Sequence, residues 1–305
     1  MLRRGPIHIG EAINQTLELV EKDQNPFSGI PSGFIVLDRI THGWQPGELI
    51  VIAARPAVGK TAFALSIARN TAVDFNIPVA YFSLEMSVAS LTKRLIVSES
   101  GIGFEKIRGA EKLEACDWYQ MESYLAKLVS APLYIDDSCA LTTDEFMGRV
   151  KELVAQHSVR MIVVDYIHLM RAWDHSKTSK EENDEILLCL KEAALKYRVA
   201  IIAITYLRRP VRKNYSGPIL TDLDAFCPAA VDYSDKIILL HRPSFLSLDS
   251  SENKMDLLHL ELAKNNTGDV ASMDLFLDME SGRVMERRSI YDDDTECLPE
   301  SLIEF

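Results

Sequence analysis

The sequence predicts an α/β protein with a mostly parallel central sheet, helices on both of its faces and an antiparallel C-terminal end. From about residue 30, apolar strand-like runs alternate with segments of helical period, as happens where crossover helices join parallel strands. Beyond residue 236, three strand-like runs follow one another with no helical segment between them, which indicates antiparallel pairing. The third observation is a predicted strand, turn and helix in succession around residue 54, a unit typical of α/β proteins.

That turn fits a phosphate-binding loop. The apolar run 49–54 has the length and branching of a buried strand, and a helical pattern begins after Thr61. The turn between them follows G-x-x-x-x-G-K-[ST], with Ala54 in the place of the usual first glycine. Backbone N–H groups and the positive end of the helix dipole converge on a polyphosphate in such a loop. The predicted nucleotide site consists of Ala54, Arg55, Pro56, Ala57, Val58, Gly59, Lys60 and Thr61.

Three residues of the loop have separate predicted roles in binding a nucleotide and its metal ion. Gly59 lets the backbone approach the phosphates, Lys60 would meet the β- and γ-phosphates, and Thr61 would ligate Mg²⁺. A Gly-Lys-Thr triplet also occurs in ordinary turns. The strand before it and the helix after it favour the nucleotide site.

The other elements follow from hydrophobic period, capping signals and chain breakers. A capping box at Thr142 opens one helix, the polar stretch 171–183 and the basic stretch 207–219 predict loops, and residues 267–269 predict a hairpin turn. The predicted strands are 49–54, 78–84, 132–136, 161–165, 199–205, 236–240, 257–262 and 273–277, and the predicted helices are 8–22, 60–74, 87–100, 111–129, 142–157 and 184–197.

Composition narrows the class of protein. No apolar run approaches the roughly 18 residues that a membrane span needs, and the first residues lack the apolar core of a signal peptide. The five cysteines are scattered singly, which predicts a reducing cytoplasm and no zinc site. We therefore expect a cytoplasmic protein without membrane contact.

The net charge of −12 argues against a protein that coats nucleic acid non-specifically, because such binding needs an excess of Lys and Arg. Any contact with nucleic acid must then be local. The densest basic run supplies the DNA-binding candidates Arg208, Arg209, Arg212 and Lys213. An ordinary solvated basic loop explains the same run equally well.

Two carboxylates follow predicted strands. Asp165 ends an apolar strand, where open α/β sheets place their ligands, and could hold Mg²⁺ through water; the alternative is a cap for the next turn. Glu85 follows another strand and could polarise an attacking water as a general base. A helix cap or a surface ion pair is the alternative for Glu85.

Four segments carry a resemblance to a known family: GIPSGF at 29–34, the loop with its strand at 45–65, FSLEMS at 82–87 and VDYIHLM at 164–170. They resemble the ATPase domain of DnaB-type replicative helicases. The resemblance implies a RecA-like P-loop NTPase fold, ATP with Mg²⁺, a homo-hexameric ring, and single-stranded DNA passing through its centre during replication. It also implies that Glu85 activates water and that helix 8–22 docks on the neighbouring subunit.

The predicted organisation is therefore a linker helix and connector at 1–28, a RecA-like ATPase domain at 29–290, and an acidic tail at 291–305. Departures from the family lie in the second half. Tyr206 stands where the family has a Gln that senses the γ-phosphate, and Asp224 stands where it has an Arg. Lys264 is retained as a trans-acting candidate, whereas the nearby Arg is lost. The alternative hypothesis is a degenerate ATP-binding ring or accessory protein without helicase activity.

Overall fold

The centre of the protein is a sheet of nine strands within the residues that the structure describes. This computed structural model describes residues 8–11, 13, 28–109, 112–172, 178–207, 217–246 and 255–286. The strands are β1 (Leu49–Ala54), β2 (Val79–Ser83), β3 (Leu133–Asp136), β4 (Met161–Asp165), β5 (Ala200–Tyr206), β6 (Lys236–His241), β7 (Met255–Asn265), β8 (Ala271–Asp278) and β9 (Val284–Glu286).

The strands lie in the order β3-β2-β4-β5-β1-β6-β7-β8-β9. Every pair from β3 to β6 is parallel, and the pairs from β6 to β9 are antiparallel. The predicted fold class is thus confirmed, including the antiparallel end and the hairpin turn between β7 and β8. Strand β9 has only three residues and was not predicted, because so short a run shows no period.

The helices flank the sheet in chain order. They are α1 (Ile35–Thr41), α2 (Lys60–Arg69), α3 (Val88–Ser100), α4 (Phe104–Arg108), α5 (Ala115–Ser130), α6 (Thr143–His157), α7 (Ser179–Tyr197), α8 (Leu220–Phe226) and α9 (Pro228–Tyr233), and a π-helical turn, Asn70–Asp74, extends α2. Helices α1, α4, α8 and α9 were not predicted. Each has five to seven residues, too few to display a helical period.

Both faces of the sheet are buried. Ile50 and Ile52 of β1 pack into one apolar cluster with Phe63 of α2, whereas Val51 packs into a second cluster with Leu190 of α7. Side chains alternate along a strand, so a strand covered by helices on both sides needs apolar residues at every position. This explains why the parallel strands read as continuous apolar runs.

The prediction of a loop over 171–183 was wrong for its last residues, because α7 begins at Ser179. The amide of Glu181 donates to the hydroxyl of Thr178 at 3.4 Å, and the Glu181 carboxylate accepts from the Thr178 amide at 2.9 Å. This reciprocal capping box satisfies the first amides of the helix. The polar residues that cap and begin α7 were thus mistaken for part of a loop. Residues 173–177 lie outside the described part.

Three predictions fall largely on residues that the structure does not describe. Of the predicted helix 8–22, residues 9–11 and 13 are helical and the others from 12 to 22 are outside the described part. The basic candidates Arg208, Arg209, Arg212 and Lys213, and the predicted acidic tail 291–305, also lie outside it. Among the described residues, no helix has the length and apolarity to cross a membrane.

Candidate nucleotide site

The loop from β1 to α2 has the backbone conformation that a phosphate cradle needs. Gly59 caps the start of α2 with φ 118°, a conformation that a residue with a side chain rarely adopts. Ala57 has φ 63° and is also left-handed. Ala54, by contrast, is the fully buried last residue of a strand. An extended conformation suits alanine, so this position does not require the usual glycine.

Lys60, the first residue of α2, turns its side chain back over the loop. Its ammonium donates to the carbonyl oxygens of Ala54 at 3.2 Å and Arg55 at 2.9 Å. Burial lowers the pKa of Lys60 to about 8, and the negative charges of Asp165 and Glu85 act in the opposite direction. The cation is therefore poorly hydrated and lies among acceptors, as a phosphate-binding lysine does.

Predicted residues from three separate segments line one cavity of about 530 Å³, and of the loop residues only Ala54, Arg55 and Val58 are not part of its lining. Lys60 and Thr61 come from α2, Glu85 follows β2, and Asp165 ends β4. The register explains the meeting, because Ser83 at the end of β2 pairs with Asp165. The carboxyl ends of neighbouring parallel strands thus bring both carboxylates to the edge of the sheet where the loop lies.

Asp165 is the acidic residue that best suits a magnesium ion. It is 4% exposed, and its carboxylate accepts a hydrogen bond from the Tyr81 hydroxyl at 2.8 Å. Burial raises the pKa of Asp165, whereas its interactions with the nearby side chains of Tyr81 and Thr61 lower it. A buried carboxylate beside a threonine hydroxyl supplies the hard oxygen ligands that Mg²⁺ prefers. These residues therefore fit the ion implied by the family resemblance.

Magnesium commonly takes few protein ligands and keeps several waters or phosphate oxygens. In the described part of the chain, no group of three or more His, Cys, Asp or Glu side chains could hold a metal ion.

Glu85 is exposed and lines the same cavity. Two hydrogen bonds to backbone carbonyl oxygens hold the turn that contains Glu85. The amide of Leu84 donates to the carbonyl oxygen of Asp165 at 2.8 Å, and the hydroxyl of Ser83 donates to the carbonyl oxygen of Met86 at 2.6 Å. The following helix is capped by Ser87, whose hydroxyl accepts from the amide of Ser90. The N-cap position of α3 is thus occupied without Glu85.

Two arginines near the loop were missed by sequence reasoning. Arg94 of α3 lines the cavity together with Glu85. Arg242, which follows β6, donates to the carbonyl oxygen of Ala57 at 3.2 Å and is held by the Asp256 carboxylate at 2.5 Å. A motif search could not find either residue, because each reaches the loop through the packing of an element distant in sequence.

Tyr206 also lines the cavity, and it packs in an aromatic cluster. Its ring centroid lies 6.0 Å from Tyr166, 4.6 Å from His168 and 5.0 Å from Phe226 of α8. The His168 ring is fixed by hydrogen bonds to Thr205 and Asn183 at 2.7 and 3.2 Å. Tyr206, one of the departures from the family pattern, is thus in direct contact with Phe226.

The remaining candidate, Lys264, makes hydrogen bonds within its own chain. Its ammonium donates to the carbonyl oxygens of Val231 and Ser234 at 2.7 and 2.6 Å. Asp224, also a departure from the family, is exposed on α8. The structure therefore brings Lys60, Thr61, Glu85 and Asp165 together, and it places Lys264 elsewhere.

Comparison with known proteins agrees with this arrangement. The family described as the DnaB-like helicase C terminal domain matches residues 29–286. The chain belongs to this family. The match covers the loop, both carboxylates and the nine strands of the described residues.

Replicative helicases of bacteria are among the individual relatives. The chain is 34% identical over 85% of its length to the replicative DNA helicase DnaB of Geobacillus stearothermophilus, and covers 57% of that protein. It is 31% identical over 94% of its length to the replicative DNA helicase DnaC of Bacillus subtilis, and covers 63% of it. The chain thus spans about three fifths of these relatives.

Solved structures share the fold. One that is described as an ATPase domain superposes with a TM-score of 0.85 at 27% identity, over 92% of this chain and 99% of that one. Another, described as a DnaB-like replicative helicase and its interactions with primase, gives a TM-score of 0.81 at 28% identity, over 92% of this chain and 67% of that one. The RecA-like interpretation of the sheet is thereby confirmed.

Proposed function

We propose that this chain is the ATP-hydrolysing motor domain of a replicative DNA helicase that acts on single-stranded DNA. One observation carries the proposal: Lys60 and Thr61, Glu85, and Asp165, which come from three distant segments, line a single cavity and have the chemistry to bind phosphate, activate water and hold a metal ion. Membership of the DnaB-like family supports the same activity.

The residues would act in distinct roles. The amides at the start of α2 and the Lys60 ammonium would bind the β- and γ-phosphates, and Thr61 and Asp165 would hold Mg²⁺. Bound Mg²⁺ would neutralise charge that develops on the phosphates. Glu85 would accept a proton from the attacking water. Arg94, which lines the same cavity, would add a positive charge toward the terminal phosphate.

An ATPase assay with and without single-stranded DNA tests this proposal. We expect hydrolysis by the unaltered chain that DNA stimulates, loss of nucleotide binding in Lys60→Ala, and loss of hydrolysis with retained binding in Glu85→Gln. We also expect the stimulation of ATP hydrolysis by DNA to disappear when the DNA-binding candidates are jointly replaced by Gln; these are Arg208, Arg209, Arg212 and Lys213. A slow rate that DNA does not change would instead support the degenerate ring.

We further propose a homo-hexameric ring in which the N-terminal helix packs on the neighbouring copy. Ile9 and Ile13 are 68% and 50% exposed, so their apolar side chains are left largely uncovered by the described residues of their own chain. Helix α5 exposes Trp118 and Tyr119 at 60% and 78%, a surface that suits an apolar helix. Lys264 remains the candidate that would act on the nucleotide of the adjacent copy.

Light scattering tests the ring. The double variant Ile9→Ser/Ile13→Ser should lower the mass of the assembly, whereas Glu11→Gln on the same exposed segment should leave it unchanged. An unaltered mass in the double variant would reject packing through this helix.

A further inference from the structure

The carboxylate at the end of β4 has a partner on the neighbouring strand that no motif identifies. Tyr81 of β2 is opposite Val163, two positions before the pair formed by Ser83 and Asp165. Side chains alternate along a strand, so Tyr81 and Asp165 project from the same face. The tyrosine side chain spans the two-residue offset, and its hydroxyl donates to Asp165 Oδ2 at 2.8 Å.

The two residues face different surroundings. Asp165 lines the nucleotide cavity, whereas Tyr81 is fully buried in the apolar cluster between the sheet and α2. The hydroxyl therefore approaches the carboxylate from the protein interior. A phenol that is buried among apolar side chains remains protonated and serves as a donor.

The Tyr81 hydroxyl holds Asp165 from the interior, and its ring is fixed because the side chain is fully buried. The terminal torsion of an aspartate is broad, so a donor in a fixed position narrows the orientations of Asp165 before any ligand binds. A carboxylate has about four acceptor sites, so this donor leaves sites for a metal ion or its water.

We propose that Tyr81 is a positioning residue that pre-orients Asp165 for the magnesium ion of the bound nucleotide. This inference rests on the proposed function, since it concerns the same cavity. The competing explanation is that Asp165 merely satisfies a buried hydroxyl, in which case Tyr81 supports only the fold. The two explanations differ in the magnesium dependence of nucleotide binding.

The test compares binding of a fluorescent ADP by the full chain and by Tyr81→Phe across a magnesium titration and in EDTA. Removing an outer partner of a metal ligand typically weakens metal affinity about 10- to 100-fold. We expect Tyr81→Phe to need correspondingly more magnesium for half-maximal binding, with unchanged affinity in EDTA. In an Asp165→Ala background, Tyr81→Phe should have no further effect.

Tyr197→Phe is the matched control, because its hydroxyl donates to the carbonyl oxygen of Met147 on the other side of the sheet at 3.4 Å. It should titrate like the unaltered chain. If Tyr81→Phe lowers affinity equally with magnesium and in EDTA, or lowers only the melting temperature, the positioning role is wrong. If the unaltered chain itself binds no fluorescent ADP with magnesium, the proposed function fails as well, which distinguishes the two failures.

Discussion

The contact between Arg242 and the phosphate-binding loop allows a quantitative prediction. Ala57 has a left-handed backbone with φ 63°, a conformation that stores about 1–3 kcal/mol in a residue other than glycine. Its carbonyl oxygen accepts from Arg242, which is 9% exposed and is clamped by Asp256. We expect this anchored guanidinium to hold the loop in its strained, nucleotide-ready form.

The substitution Arg242→Met removes the guanidinium and retains an apolar stem. A hydrogen bond from a charged group contributes about 1.5–3 kcal/mol. If the loop then relaxes when empty and must be strained again on binding, nucleotide affinity should fall about 10- to 150-fold, since 1.4 kcal/mol corresponds to a factor of ten. The deficit should appear equally with magnesium and in EDTA, because it concerns the loop and not the metal ligands.

Fluorescent ADP titration measures this change, with urea denaturation to confirm that the variant folds. The matched control is Arg149→Met, which breaks the half-buried ion pair between Arg149 and Asp136. Asp136 belongs to β3 at the edge of the sheet. The control should lose stability without losing nucleotide affinity. Unchanged affinity in a well-folded Arg242→Met variant would refute the anchoring role.

Three further predictions concern the fold. Lys236 is fully buried and forms an ion pair with Glu48. Lys236→Met leaves the Glu48 carboxylate unpaired and should lower the free energy of unfolding by about 3–5 kcal/mol in urea titrations. Adding Glu48→Leu should restore most of this loss, and no recovery would contradict this account. Thr178→Ala should cost about 1 kcal/mol by losing the cap of α7, whereas Thr178→Ser should not; equal losses would argue against capping. Burial raises the pKa of Cys189 to about 12, so its thiol stays protonated at pH 8. Treatment of the native protein with iodoacetamide, read out by peptide mass spectrometry, should therefore label exposed Cys116 and spare Cys189. Equal labelling of the two cysteines would overturn this expectation.

The outcome of sequence reasoning depended on the length and regularity of each element. Strand β1 and the long helix α6 were predicted because their apolar period or capping box is visible within a short window. Helix α8 was missed because seven residues contain barely two turns. The start of α7 was misassigned because the same polar residues serve both loops and capped helix starts.

The sequence alone determined the class of sheet and the phosphate-binding loop, because both are patterns of neighbouring residues. Only the tertiary structure decided which side chains meet: that Glu85 and Asp165 share the cavity of Lys60, and that Arg242 holds Ala57. Such contacts depend on strand order and register, which arise from the packing of the whole sheet and leave no mark within any one segment.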